Sequence, residues 1–218
     1  MNGAIVSIAA LVGLYLGGPV GLGAPIIKSW VSRNRPSPRP FGEAVLWGLG
    51  TGALIVVLSI AVFNPLIVEA VVDPTSLPEV SPMLGALASV GAGITEEMLF
   101  RLGLVTLLVW LGFRLGARID DERPATWLVW GAIVVVALAF GAAHLPATSE
   151  VFRLTPIVVA RSLVLNGVGG VVFGWLYWRR GLLAALVAHF STDIILHALV
   201  PLLINVLVRV LSPLLAGL

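Results

Sequence analysis

Seven stretches of this chain run for roughly 20 residues with almost no charge, and they restrict its fold more than any other feature. A helix that crosses the hydrocarbon core of a bilayer needs about 20 apolar residues. The candidates are residues 4–27, 43–72, 83–113, 125–145, 156–178, 182–199 and 201–218. The first is interrupted by Gly17-Gly18-Pro19, and the second carries Asn64-Pro65, which is expected to kink it near one end. Pro201 is read as the break between the last two. The runs are rich in Leu, Ala, Val and Gly and lack period-2 alternation, so strands are not expected. The expected fold is all-α: a polytopic transmembrane helix bundle of about seven or eight spans, forming one integral-membrane domain over residues 1–218.

Composition excludes the ordinary alternative. Hydrophobic residues make up 59% of the chain and charged residues 11%. A soluble domain carries about 45–50% and about 25%. The formal charge is only +2, and the arginines concentrate in short loops, so no nucleic-acid partner is expected. There are no cysteines, which removes disulfides, thiolate nucleophiles and cysteine zinc sites. Met1-Asn2-Gly3 leads straight into apolar sequence without a basic leader, so the N-terminus is read as a first span rather than a removed signal peptide.

Loop charge predicts an orientation. Lys28, Arg33, Arg35 and Arg39 follow the first run; Arg114, Arg118 and Arg123 follow the third; Arg179 and Arg180 follow the fifth. The opposite links hold Asp73 and Glu79 in a Pro-rich segment (73–82), then Glu150 and Arg153. Basic loops in the cytosol put the N-terminus outside. Clustered glycines, such as Gly167, Gly169, Gly170 and Gly174, suit close helix packing. No repeat suggests the inverted halves of a transporter.

Inside this apolar background sits Glu96-Glu97-Met98-Leu99-Phe100-Arg101. Each charge at bilayer depth costs about 2.5–3.5 kcal/mol, so such groups mark function. Glu97 and Arg101 are four apart and share a helix face, which predicts a neutralising pair. Glu96 is rotated by about 100° from Glu97 and is free to face something else. Phe140 and His144 share a face at the end of the fourth run, and His189 and Asp193 do so in the sixth. A carboxylate at that spacing is suited to fixing an imidazole tautomer. Arg161, Asn166 and His197 are read as structural polar residues.

Glu, His, His and Asp from three helices suit activation of a water molecule. A glutamate taken out of bulk water becomes a competent general base, and an imidazole can hold the same water or stabilise an oxyanion. The same four groups could ligate zinc, and spacing alone leaves both options open. No His-Glu-x-x-His zinc helix and no Gly-x-Ser-x-Gly elbow is present.

Glu96-Glu97-x-x-x-Arg101, then Phe140-x-x-x-His144, then His189-x-x-x-Asp193 resemble, in order and approximate distance, the motifs of the CPBP (Abi) intramembrane proteases. These include type II CAAX prenyl endopeptidases and bacteriocin-processing enzymes. The segment from Val172 to Leu182 resembles the family's approach to its last motif, and the likeness covers about half the chain, residues 90–196. The resemblance implies a helical bundle with a cytosol-facing cavity, a catalytic core at about residues 83–200, and peptide-bond hydrolysis. It implies Glu96 as the catalytic glutamate, His144 as the group that positions the water, and His189 with Asp193 at the oxyanion. Glu97, Arg101 and Phe140 become structural support. Many relatives carry Asn where this chain has Asp193. An ionised Asp only accepts hydrogen bonds, so Asp193 must be protonated, orient His189, or bind a metal.

The expected function is therefore an intramembrane endopeptidase acting with a glutamate-activated water on a membrane-associated protein or peptide, of which a prenylated CAAX-type substrate is the best-known class. No cofactor is expected. If a divalent zinc took part, Glu96, His144, His189 and Asp193 would hold it. The expected partners are membrane lipids and a lipidated substrate, and the expected location is the cell membrane. The alternative is a non-enzymatic transporter or scaffold that uses the same Glu, His and Asp as a proton relay or binding site.

Overall fold

The computed structural model describes residues 3–25, 27, 39–72, 81–120 and 123–215. Lys28, Arg33 and Arg35 of the first basic segment, and Asp73 and Glu79 of the Pro-rich link, lie outside the described residues. Among the described residues the structure is all-α apart from one short hairpin and an isolated β-bridge between Val71 and Phe152.

Helix α1 (Gly3–Gly17) closes in a 3-10 turn, Gly18–Val20. Helix α2 begins as Arg39–Leu58, widens into a π turn at Ser59–Phe63, and continues through Asn64–Ile67 to a 3-10 turn at Val68–Ala70. Helix α3 covers residues 82–114 as Pro82–Glu96, a π segment at Glu97–Val105, and Thr106–Arg114. Strands β1 (Arg118–Asp120) and β2 (Arg123–Pro124) pair antiparallel. Helix α4 (Thr126–Ala143) leads into the short α5 (Leu145–Val151). Helix α6 is Pro156–Arg180. Helix α7 covers residues 182–215 as Leu182–Asp193, a π turn at Ile194–Leu199, and Val200–Leu215.

Local sequence sets several of these boundaries. Ser81 and Thr155 cap α3 and α6, each accepting a backbone N–H through its hydroxyl, with proline at the first helical position. Gly181 has φ +87°, a left-handed conformation that L side chains rarely adopt, and it separates α6 from α7.

Among the described residues, five helical stretches are long and apolar enough to cross a membrane: Gly3–Val20, Phe41–Ala70, Thr126–Val151, Pro156–Arg180 and Leu182–Val208. Seven or eight were expected, and two features account for the difference among the described residues. Pro201 does not break its helix, so the run 182–199 continues into the last one through Leu215. The π turn immediately before Pro201 supplies the irregular geometry that a proline's missing N–H needs. The 83–113 run does form a continuous helix, but Glu96, Glu97 and Arg101 lower its apolarity. The β1–β2 hairpin falls in the basic loop after it, where no strand was expected.

The helices meet along seams of small residues. Gly141 lies against Leu163, Ala137 against Gly170 and Ile133 against Gly174, so α4 and α6 run antiparallel. Gly48 lies against Ala188 and Gly52 against Thr192, so α2 and α7 run parallel. The Thr192 hydroxyl donates to the Gly48 carbonyl at 2.8 Å, fixing that register. Gly85 lies against His197 and Gly93 near His189, which sets α3 antiparallel to α7. Outside, Ile8, Leu11 and Leu14 of α1 and Leu202, Leu203 and Val208 of α7 are exposed. Such faces suit lipid, where association is driven by packing rather than by the hydrophobic effect.

A Cβ at Gly170 would fall 2.7 Å from the Cβ of Ala137. Gly170→Val is therefore expected to force α4 and α6 apart and to destabilise the protein by about 1–3 kcal/mol. Gly167, with nothing within 4 Å of its added Cβ, is the control. Thermal unfolding in detergent should show a lower midpoint for Gly170→Val and no loss for Gly167→Ala.

Candidate active site

The site is built around one carboxylate oxygen. Glu97 begins the π segment of α3 and is fully buried. Its Oε1 lies 3.1 Å from Nη1 of Arg101, four residues on and equally buried. The same Oε1 lies 2.8 Å from Nδ1 of His189 on α7, which donates its N–H to it. One oxygen thus joins a guanidinium on its own helix to an imidazole on another.

Aromatic rings hold both partners in place. The Arg101 guanidinium sits 4.6 Å from the ring centre of Phe140 on α4 and 5.4 Å from that of Phe173 on α6. Its Nη2 donates to the Gly170 carbonyl at 3.5 Å. Phe173 stacks on His189 at 4.7 Å with the planes 19° apart. Phe140 meets the His189 ring edge-on at 5.9 Å and the His144 ring at 4.7 Å. Four helices therefore converge on one buried cluster.

Glu96 has different surroundings from Glu97. It lines a cavity of about 600 Å³, together with Phe140, His144, His189 and Asp193. Glu97 and Arg101 stand behind that wall. Glu96 Oε2 and Asp193 Oδ1 each lie 3.7 Å from Nε2 of His189. Those separations are too long for direct hydrogen bonds. At the end of α4, Nδ1 of His144 lies 2.8 Å from the Phe140 carbonyl. A carbonyl only accepts, so the proton sits on Nδ1 and the neutral ring keeps its lone pair on Nε2.

The structure thus brings Glu96, Phe140, His144, His189 and Asp193 to one cavity. It differs from expectation in the partner that orients His189. The i,i+4 spacing suggested Asp193, yet Nδ1 is held by Glu97 from across the helix interface. Asp193 reaches only the Nε2 side, because a residue one turn along the same helix lies beyond the ring rather than behind it. Arg161, Asn166 and His197, expected to be structural, also line the cavity. Phe173 was not singled out at all. Arg161, Leu165, Gly169 and Phe173 recur every four residues, the single-face pattern that would have exposed them. Among the described residues, no three His, Asp or Glu side chains are gathered as metal ligands.

The model of the family described as type II CAAX prenyl endopeptidase Rce1-like matches residues 78–195, more than half of the chain. The chain belongs to the Rce1-like family. No curated protein and no solved structure gives a match. Membership of the Rce1-like family, with the apolar helices, supports a protease embedded in the membrane. The Rce1-like match includes the Glu-Glu-x-x-x-Arg, Phe-x-x-x-His and His-x-x-x-Asp segments, which form the cluster described above.

Removing Arg101 would leave Glu97 charged and buried without its cation. Arg101→Ala is expected to destabilise the fold by about 3–5 kcal/mol. The double variant Arg101→Ala with Glu97→Gln should recover part of that loss, because no charge is then stranded. A double-mutant cycle on unfolding in detergent measures both.

Proposed function

We propose that this chain is an intramembrane endopeptidase that hydrolyses a peptide bond of a membrane-associated, prenylated protein or peptide with a glutamate-activated water. The observation that carries this reading is the single cavity that Glu96, His144 and His189 share in an Rce1-like chain.

The chemistry follows from which atoms remain free. The Glu96 carboxylate takes a proton from water as the water oxygen bonds to the scissile carbonyl carbon. His144 has committed Nδ1–H to the Phe140 carbonyl, so its Nε2 lone pair accepts the water's other hydrogen and aims the nucleophile. His189, held through Nδ1 by Glu97, donates Nε2–H from its doubly protonated form to the developing oxyanion. When the tetrahedral intermediate collapses, the C–N bond breaks and Glu96 returns its proton to the leaving amine. An ionised Asp193 only accepts, so it acts on Nε2 of His189 and not on the oxyanion. Apolar helices exclude bulk water, which strengthens each of these interactions. In this reading no zinc takes part.

The protein is proposed to lie in the cell membrane, with its cavity in the half of the bundle away from Arg114, Arg118, Arg179 and Arg180, since His144 ends α4 and Arg161 stands near the start of α6 on that other side. A cytosolic opening therefore does not go together with the orientation read from loop charge. A lipidated substrate would enter that half laterally from the adjoining leaflet.

Glu96→Gln should reduce cleavage of a prenylated peptide by about 10²–10⁴-fold, with the thermal midpoint preserved. His144→Ala should do the same, whereas His189→Ala should lose cleavage together with a lowered midpoint, because it takes a hydrogen-bond donor away from buried Glu97. Asp193→Asn should keep most of the rate, because the amide still accepts toward His189. A well-folded Glu96→Gln protein that cleaves at the full rate would reject the assignment. Excess chelator should leave the wild-type rate intact, and loss of activity restored by added zinc would move the reading to a metalloprotease.

A further inference from the structure

We propose that Asn166 is a substrate-binding residue: its Oδ1 accepts a backbone N–H of the peptide being cut and so holds that chain beside Glu96, His144 and His189. This rests on the protease reading of the same cavity and names one group by which the cavity grips its substrate.

Asn166 lies near the middle of α6 and lines the cavity that holds the three reacting side chains. Its Nδ2 donates to the Ser162 carbonyl at 2.9 Å, one turn back along the same helix. A carbonyl only accepts, so the NH2 end of the amide must face Ser162 and the oxygen must point the other way. Among the described residues Oδ1 has no hydrogen-bond partner. It is not sealed inside the protein either, so it opens onto the cavity that the side chain lines. Other uncharged polar groups of the wall are engaged. Thr192 donates its hydroxyl to the Gly48 carbonyl. Ser59 donates toward Asn64 Oδ1 at 3.4 Å and receives Nη2 of Arg161 at 3.3 Å. Asn166 thus offers a neutral acceptor with nothing in the protein to satisfy it.

Contacts on either side set the level of Asn166 in the bundle. Ser162 donates its hydroxyl at 3.1 Å to the carbonyl of Gly141, on the last turn of α4, which ends at His144. Gly169, three residues beyond Asn166, lies under the Phe173 ring: a Cβ there would fall 3.1 Å from Phe173 Cε2. That ring stacks on His189. Asn166 therefore stands on the α6 wall between the turn that leads to His144 and the ring that backs His189. Its distance from Gly169 along the helix is about 4.5 Å. A peptide drawn between apolar helices loses the water on its N–H groups, and an N–H left unpaired there is costly. Glu96 is occupied with the attacking water in the proposed reaction, and Asp193 faces Nε2 of His189. An uncharged carboxamide oxygen beside them meets the need without adding a charge to the cavity.

The test uses the full-length protein in nanodiscs and a prenylated peptide whose backbone N–H groups around the scissile bond, the scissile one excepted, are N-methylated one at a time. In the wild type, one of these methyl groups should raise KM about tenfold by removing the donor. Asn166→Leu, similar in size but without an acceptor, should raise KM for the unmodified peptide by about the same factor and make that one methyl group neutral. Methyl groups elsewhere should keep their wild-type effects. Asn166→Ala carries the same expectation as a second variant, and Asn166→Asp, which keeps an acceptor, should keep the sensitivity at that position. Equilibrium binding of the same peptides to the Glu96→Gln protein gives a second readout, with the same coupling expected in Kd. Effects of Asn166→Leu and N-methylation that multiply at every position overturn the Asn166 assignment and leave the protease intact. A fall in kcat shared equally by all the peptides, with KM unchanged, assigns Asn166 to the attacking water and also overturns it. Coupled binding at one position without any cleavage supports the contact and rejects the protease.

Discussion

Oε1 of Glu97 is the atom on which the rest of this structure depends. It faces Arg101 at 3.1 Å and His189 at 2.8 Å, and all three residues are buried. A buried ion pair adds little net stability, because desolvation offsets most of its attraction. What it supplies here is placement. A shift of α3 against α7 would break the Glu97–His189 bond and strand a carboxylate in apolar surroundings. The helices are therefore held in one register by the high cost of every other.

That placement extends outward through rings. Phe140 and Phe173 flank the Arg101 guanidinium, and the same two rings contact His189. Side chains from α4 and α6 thus fix the orientation of groups on α3 and α7. The small-residue seams let this happen, since Gly170 brings the α6 backbone close enough for its carbonyl to receive Arg101. The polar cluster and the glycine packing are one design. Close backbones put the rings where the cation needs them.

What was legible in the sequence were features within single helices. The Glu97–Arg101 pair and the one-residue offset of Glu96 follow from helical geometry, and both are present in the structure. The long apolar runs did predict an all-helical bundle. Relations between helices were not legible. Nothing in His189-x-x-x-Asp193 says that Nδ1 will be taken by a glutamate 92 residues earlier. The stack of Phe173 on His189 is equally invisible, because it depends on how α6 and α7 turn toward each other. Pro201 misled for a different reason. A proline marks a break by its local chemistry, but a helix already widened just before it can carry it through.

The widened turns carry a consequence for the history of the chain. Ser59–Phe63, Glu97–Val105 and Ile194–Leu199 each hold or adjoin a residue of the cavity wall: Ser59, Glu96 and His197. A π turn is what a one-residue insertion leaves in an α-helix, since the extra residue swells one turn while the flanking turns keep their partners. An ancestral bundle of plain α-helices could acquire its reactive interior by such single-codon gains without redrawing its outer contacts. The lipid-facing shell and the chemical interior would then have been free to evolve on separate schedules.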